Sequence, residues 1–166
     1  MEILRFCDFV NEKKDDRPVV SFDLDGTLHL YKDGEGEFNF IDDSTWEPFD
    51  EVISILRKEA EDNKIYIVTA RDEGTINQIW KFVKTHDLPI EDIHCTGGKS
   101  KLPILTKLNA VRHYDDNYTP EGNEDLLDAE IETIHVNPKS RTYGIANEML
   151  KESAPSLHHI RLADSY

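Results

Sequence analysis

Two aspartates, Asp23 and Asp25, close the apolar run Val19-Val20-Ser21-Phe22, and Gly26 follows at once to release the backbone into a turn. In a regular strand, residues two apart point to the same side. One carboxylate of such a pair can attack an electrophile while the other handles a proton, provided a cation screens their repulsion. The chain holds 34 Asp and Glu in 166 residues, so an Asp-x-Asp is not distinctive by itself. Its placement is. Strand interiors disfavour Asp, and a carboxylate brought into an apolar environment must be paired or metal-bound.

Three further stretches end in chemistry-bearing residues after an apolar run. Lys64-Ile65-Tyr66-Ile67-Val68-Thr69 delivers a hydroxyl, with Arg71 two residues on. Ile93-His94-Cys95 leads through Thr96-Gly97-Gly98 to Lys99 and Lys101. Val111-Arg112-His113-Tyr114 ends in Asp115-Asp116. Acids, a hydroxyl and cations at strand ends suit a divalent ion beside a phosphate. Mg²⁺ takes hard oxygen ligands, whereas the two cysteines and the scattered histidines His94, His135 and His158-His159 show no zinc-type spacing. His113 reads as a packed or supporting residue rather than a catalytic one.

The elements that must position these groups read as alternating strands and helices. The segment Ile3–Val10 fits a short amphipathic helix. A strand over about 18–24 follows, then a β-hairpin over 28–41, with Phe38 and Phe40 on its second arm and Asp33-Gly34-Glu35-Gly36 at its tip. Pro48 opens a helix carrying Val52, Ile53, Ile55 and Leu56. A strand at 64–69, a helix at 72–86, a short strand near 93–95 and a helix at 101–109 come next. A strand at 111–114, a helix at about 121–130, a strand at 131–136 and a final helix at about 142–152 complete the regular elements, leaving Leu157–Tyr166 as an edge strand or ordered tail. Trp46 and Trp80 are expected in packing roles. This alternation predicts one α/β domain over 1–166: a three-layer, Rossmann-like, mostly parallel sheet with helices on both faces and a hairpin flap after the first strand. In such sheets the ligand lies beyond the carboxyl ends of the strands, where all four chemical stretches fall.

The string Asp23-Leu24-Asp25-Gly26-Thr27, with Thr69, Lys101 and Asp115-Asp116 in that order, resembles the four motifs of the haloacid dehalogenase-like (HAD) superfamily of phosphotransferases over residues 18–120. The resemblance implies Asp23 as a nucleophile forming an aspartyl-phosphate and Asp25 as general acid and base, its backbone carbonyl also meeting the metal. It implies Thr69 on a phosphoryl oxygen, Lys101 (favoured over Lys99) balancing charge, and Asp116, with Asp115, holding Mg²⁺. Thr69-x-Arg71 is similar to polynucleotide phosphatases and some nucleotidases, with Arg71 reaching the substrate phosphate. A helix-start pairing of Arg71 with Asp72 or Glu73 is the bland alternative. Neither gap between motifs has room for a globular cap, which by resemblance leaves an open site.

The expectation is a Mg²⁺-dependent phosphomonoesterase. Its phosphorylated substrate would be a nucleotide or a nucleic-acid 3′-phosphate end. Phosphatases of small metabolites or phosphoproteins, and a non-catalytic metal- or phosphate-binding regulatory protein on the same fold, are the alternatives. A formal charge of −15 argues against strong non-specific binding to nucleic acid or anionic membranes. Two distant cysteines, Cys7 and Cys95, no signal-type leader and no membrane-length apolar stretch point to a soluble, cytoplasmic chain. Nothing in the sequence speaks to oligomeric state.

Overall fold

A computed structural model describes residues 15–31, 46–119 and 122–147. The expected N-terminal helix, the arm bearing Phe38 and Phe40, and the C-terminal tail lie outside those residues. The described chain runs β1 (Val19–Phe22), β2 (His29–Tyr31), β3 (Trp46–Pro48), α1 (Asp50–Glu59), β4 (Lys64–Thr69) and α2 (Ile76–Thr85). It continues with β5 (Asp92–Cys95), α3 (Leu102–Lys107), β6 (Ala110–Asp115), β7 (Glu132–Asn137) and β8 (Thr142–Ile145).

Six strands form one sheet in the order β5-β4-β1-β6-β7-β8, parallel except for β8, which pairs antiparallel with β7. β1 lies between β4 and β6, so the chain first builds outward on one side of β1 and then returns to build on the other. That reversal is a topological switch point, where a crevice opens beyond the strand ends. The backbone N–H of Asp23 donates to the carbonyl of Tyr114 at 2.8 Å, so β1 and β6 remain tied one residue past the end of β1.

Alternation along β1 assigns the two faces. Val20 and Phe22 join the larger apolar cluster with Ile65, Ile67, Val52 and Leu56 of α1, and Ile79 and Val83 of α2. Val19 joins the smaller cluster on the other face with Val68, Leu105 of α3 and Leu126. Burying a branched or aromatic side chain of this kind contributes roughly 1.5–3 kcal/mol. Helices thus cover both faces, and the fold is the expected three-layer α/β arrangement.

Local departures have local causes. β2 pairs antiparallel with Trp46–Pro48, and Phe49 N–H reaches the Leu28 carbonyl at 2.9 Å; the second arm expected within 28–41 lies outside the described residues. Pro48 ends this short two-stranded piece, where its missing N–H is tolerated, and α1 begins at Asp50. The helix expected at 121–130 is a 3-10 segment, Glu124–Asp128. The helix expected from 142 is instead strand β8 at its start. Asn137 Oδ1 accepts the N–H groups of Lys139 and Ser140, and Arg141 adopts φ 55°, a tight reversal that returns Tyr143 and Ile145 alongside β7. Helical spacing in Thr142–Glu152 carried no information about that turn. None of the helices among the described residues is long and apolar enough to cross a membrane.

Candidate active site

The ends of β1, β4 and β6 and the loop after β5 enclose a cavity of about 400 Å³, with Asp23, Asp25, Arg71, Lys99, Lys101, Asp115, Asp116, Asn117 and Asn123 among its walls. Its floor is an acidic cluster. Asp23, Asp115 and Asp116 each offer a carboxylate oxygen, all within 4.8 Å of one another. Two carboxylates at that separation repel by about 3 kcal/mol at an effective dielectric near 20. Lys101, at the start of α3 and almost fully buried, meets Asp23 at 2.6 Å and Asp115 at 2.5 Å. With all three carboxylates ionised, one ammonium leaves two negative charges, a deficit that a divalent cation could fill.

The floor residues divide into two states. Burial pushes the Asp23 carboxyl well above the usual carboxylate range; Lys101 opposes this, and Asp115, Asp116 and Asp25 reinforce it. Burial and the charge of Asp115 push Asp116 up to about 7. For Asp115, Lys101 and His113 outweigh burial and hold the group ionised. Its Oδ2 accepts from Lys101, from His113 Nε2 at 2.9 Å and from Asn123 Nδ2 at 3.0 Å, and its Oδ1 from Asn117 N–H at 2.9 Å. Asp116, by contrast, receives no side-chain donor among the described residues. It is the more available of the two acids for a metal, while Asp115 anchors the floor.

Gly26 makes room for that acid. It sits at φ +73°, and a Cβ there would lie 2.4 Å from Asp116 Oδ2. The glycine therefore serves both the turn and the approach of Asp116 to Asp23. The donor set, all hard oxygen with no thiolate or imidazole in the cluster, fits Mg²⁺.

Asp25 stands apart. Arg71 Nε and Nη2 donate to its two oxygens at 2.8 and 2.6 Å, and His29 Nε2 lies at 3.1 Å. Burial alone would raise its pKa, but the Arg71 and His29 contacts outweigh it and hold the carboxyl well below the usual range. Arg71 is itself only 4% exposed and rests with its guanidinium 4.3 Å from the centre of the Trp46 ring. Its ion pair is thus made across the cavity rather than with the neighbouring acids at the helix start.

The two loops that carry Arg71 and Lys99 are laced together. Thr96 N–H meets the carbonyl of Thr69, Gly97 N–H that of Arg71, and Gly98 N–H that of Ala70 at 2.7 Å. Thr69 is fully buried, its hydroxyl accepting the Arg71 N–H at 3.3 Å. Lys99 is exposed at the cavity rim.

No family model matches the chain. It is 30% identical over 128 residues to an uncharacterized protein of Acanthamoeba polyphaga mimivirus, spanning 65% of this chain and 25% of that protein. It is 26% identical over 68 residues to a nucleotidase of Clostridium acetobutylicum, spanning 41% of this chain and 35% of the nucleotidase. The chain thus spans about a quarter to a third of the curated relatives it matches. Among solved structures, a chain of the Pnkp1/Rnl/Hen1 RNA repair complex superposes with a TM-score of 0.59 at 17% identity, covering 73% of this chain and 43% of that one. At that identity the likeness speaks for the fold.

Every site residue expected from the sequence lies at this end of the sheet, though not as one cluster. Asp23, Lys101, Asp115 and Asp116 converge; Asp25 and Arg71 form a second centre beside them; Thr69 lies beneath the wall. Sequence reasoning missed Asn123 and His29. An asparagine in a 3-10 lead-in carries no signal that it will brace Asp115, and His29 is recognisable only once Trp46 and Arg71 are brought to it.

Proposed function

We propose that the chain is a Mg²⁺-dependent phosphomonoester hydrolase that works through an aspartyl-phosphate on Asp23. The observation that carries this reading is the floor of the cavity: three acidic oxygens within 4.8 Å of one another, with Lys101 bridging two of their carboxylates. The resemblance to the HAD superfamily, the nucleotidase relative and the fold likeness to an RNA repair chain support it. Asp23 and Asp116 would hold the metal, with Asp115 behind them and the Asp25 carbonyl as the resemblance implies. When bound, the ion would screen these carboxylates from the anionic substrate and polarise the phosphoryl group.

In the first step an Asp23 oxygen attacks phosphorus, and the ester oxygen leaves with a proton. Water then attacks the same phosphorus, loses a proton, and releases inorganic phosphate and free Asp23. Lys101 neutralises charge at the nucleophile, and the forked donors of Arg71 suit two phosphoryl oxygens. Asp25 can serve as the acid only once Arg71 turns from it towards the phosphate; burial then favours its proton. Nucleotides and nucleic-acid 3′-phosphate ends are the substrates we favour, on the strength of Thr69-x-Arg71 and of gaps between the motifs too short to hold a globular cap.

A second reading rests on one observation. Asp25 is held ionised by Arg71, which suits a metal- and phosphate-binding protein without turnover. Assay of nucleotides, sugar phosphates, phosphopeptides and 3′-phosphorylated oligonucleotides with Mg²⁺ or EDTA separates the two. Metal-dependent release of phosphate, abolished in Asp23→Asn, is the expected result. No release from any substrate, with wild type and Asp23→Asn indistinguishable, gives the binding reading its place.

A further inference from the structure

Trp46 has no part in the chemistry described so far, yet it touches the group that does. It is 7% exposed, and its indole N–H finds no acceptor among the described residues. An apolar side chain of similar size would leave no such donor unmet. What the indole supplies that an aliphatic residue lacks is its ring face. The His29 ring stacks on it, with centroids 4.6 Å apart and planes 3° from parallel, and the Arg71 guanidinium lies 4.3 Å from its centre. His29 and Arg71 also both hold Asp25. One aromatic surface therefore backs both partners of a single carboxylate.

We propose that Trp46 is a positioning residue that keeps the Arg71 guanidinium against the cavity wall when an entering phosphoryl group competes with Asp25 for its donors. An arginine held only by an ion pair would swing freely once that pair loosened. Arg71 has a second attachment that does not use its hydrogen-bond donors, since the attraction acts through the ring face. Phosphate can then draw on the fork while the guanidinium keeps its plane and depth. The inference deepens the phosphatase reading and rests on it for the identity of the ligand, but the contact itself can be tested without turnover.

The test compares Trp46→Leu and Trp46→Phe in the full chain. Measurements are KM and kcat on a phosphate monoester, inorganic phosphate affinity by calorimetry, and Mg²⁺ affinity. Trp46→Leu should raise KM and weaken phosphate binding about 3- to 20-fold, with a smaller change in kcat and unaltered Mg²⁺ affinity; Trp46→Phe should recover most of the loss. In a Trp80→Phe background, phosphate should shift Trp46 emission, and an Arg71→Met substitution should abolish that shift. Unchanged KM and phosphate affinity in folded Trp46→Leu overturns the proposal, as does equal loss in the Leu and Phe variants. If Trp46→Leu does not fold, the emission measurement decides. If the wild type binds no phosphate, the phosphatase reading fails on its own. The platform is then judged by a melting-temperature cycle of Trp46→Leu and Arg71→Met, where additive losses overturn it and non-additive losses support it.

Discussion

Asp23 and Asp25 are two residues apart in the chain and belong to opposite electrostatic regimes. Around Asp23 the protein gathers two more acids and a single lysine, and burial raises its pKa. Around Asp25 it gathers an arginine and a histidine on an aromatic surface, and the pKa falls. The first region is short of positive charge. The second is already balanced by its arginine and histidine. Identical side chains on one strand end thus acquire different readiness from residues far away in sequence.

The sharpest way to break this comparison is to neutralise the two acids separately. Asp23→Asn should lower turnover of a responsive phosphomonoester by at least about 10³-fold, with its melting temperature unchanged or raised, because a repelled buried charge is gone. If Asp25→Asn gives the larger loss in turnover, the roles of the regions are reversed. Next in size is Arg71→Met, which takes the forked ion pair from Asp25 and should destabilise the fold by about 3 kcal/mol in denaturant unfolding. The double variant with Asp25→Asn should recover most of that, as the charge that Arg71 balanced is gone too.

Gly26→Ala probes the boundary between the regions. The left-handed backbone alone makes it unfavourable by about 1–2 kcal/mol, and the added methyl would displace Asp116. Calorimetric Mg²⁺ affinity should fall by roughly tenfold. The smallest effect expected is in pH. With Asp116 raised from 3.8 to about 7, the metal-free native state holds a proton that the unfolded chain has lost. That contribution to stability is complete below about 4 and disappears as pH rises through about 7. Melting scans should therefore show Mg²⁺ stabilising the protein a few degrees more at pH 8 than at pH 5.5. An equal shift at both values would mean that Asp116 is not part of the ion's surroundings.

What could be read from the chain follows the same division. The acids of the floor follow apolar strands, so hydrophobic runs locate them, and parallel order brings the strand ends together. Lys101 was legible for a similar reason, as the residue on which a short helix starts. In the Asp25 region the sequence marks Asp25 and Arg71 but neither their pairing nor its support. His29 and Trp46 reach Arg71 through the pairing of His29–Tyr31 with Trp46–Pro48, a strand past the end of the expected hairpin. The reversal at Arg141 escaped notice too, since it depends on one asparagine side chain capturing two amides.

One hydrogen bond, from the Asp23 amide to the Tyr114 carbonyl, has a broader consequence. It sets Asp23 and the acidic dyad Asp115-Asp116 on adjacent strands of one ladder, at an interval given by ordinary inter-strand spacing of about 4.8 Å. That interval is a constant of β-structure and does not depend on side-chain tuning. Connections elsewhere can lengthen, shorten or be exchanged while the separation of these acids stays as it is.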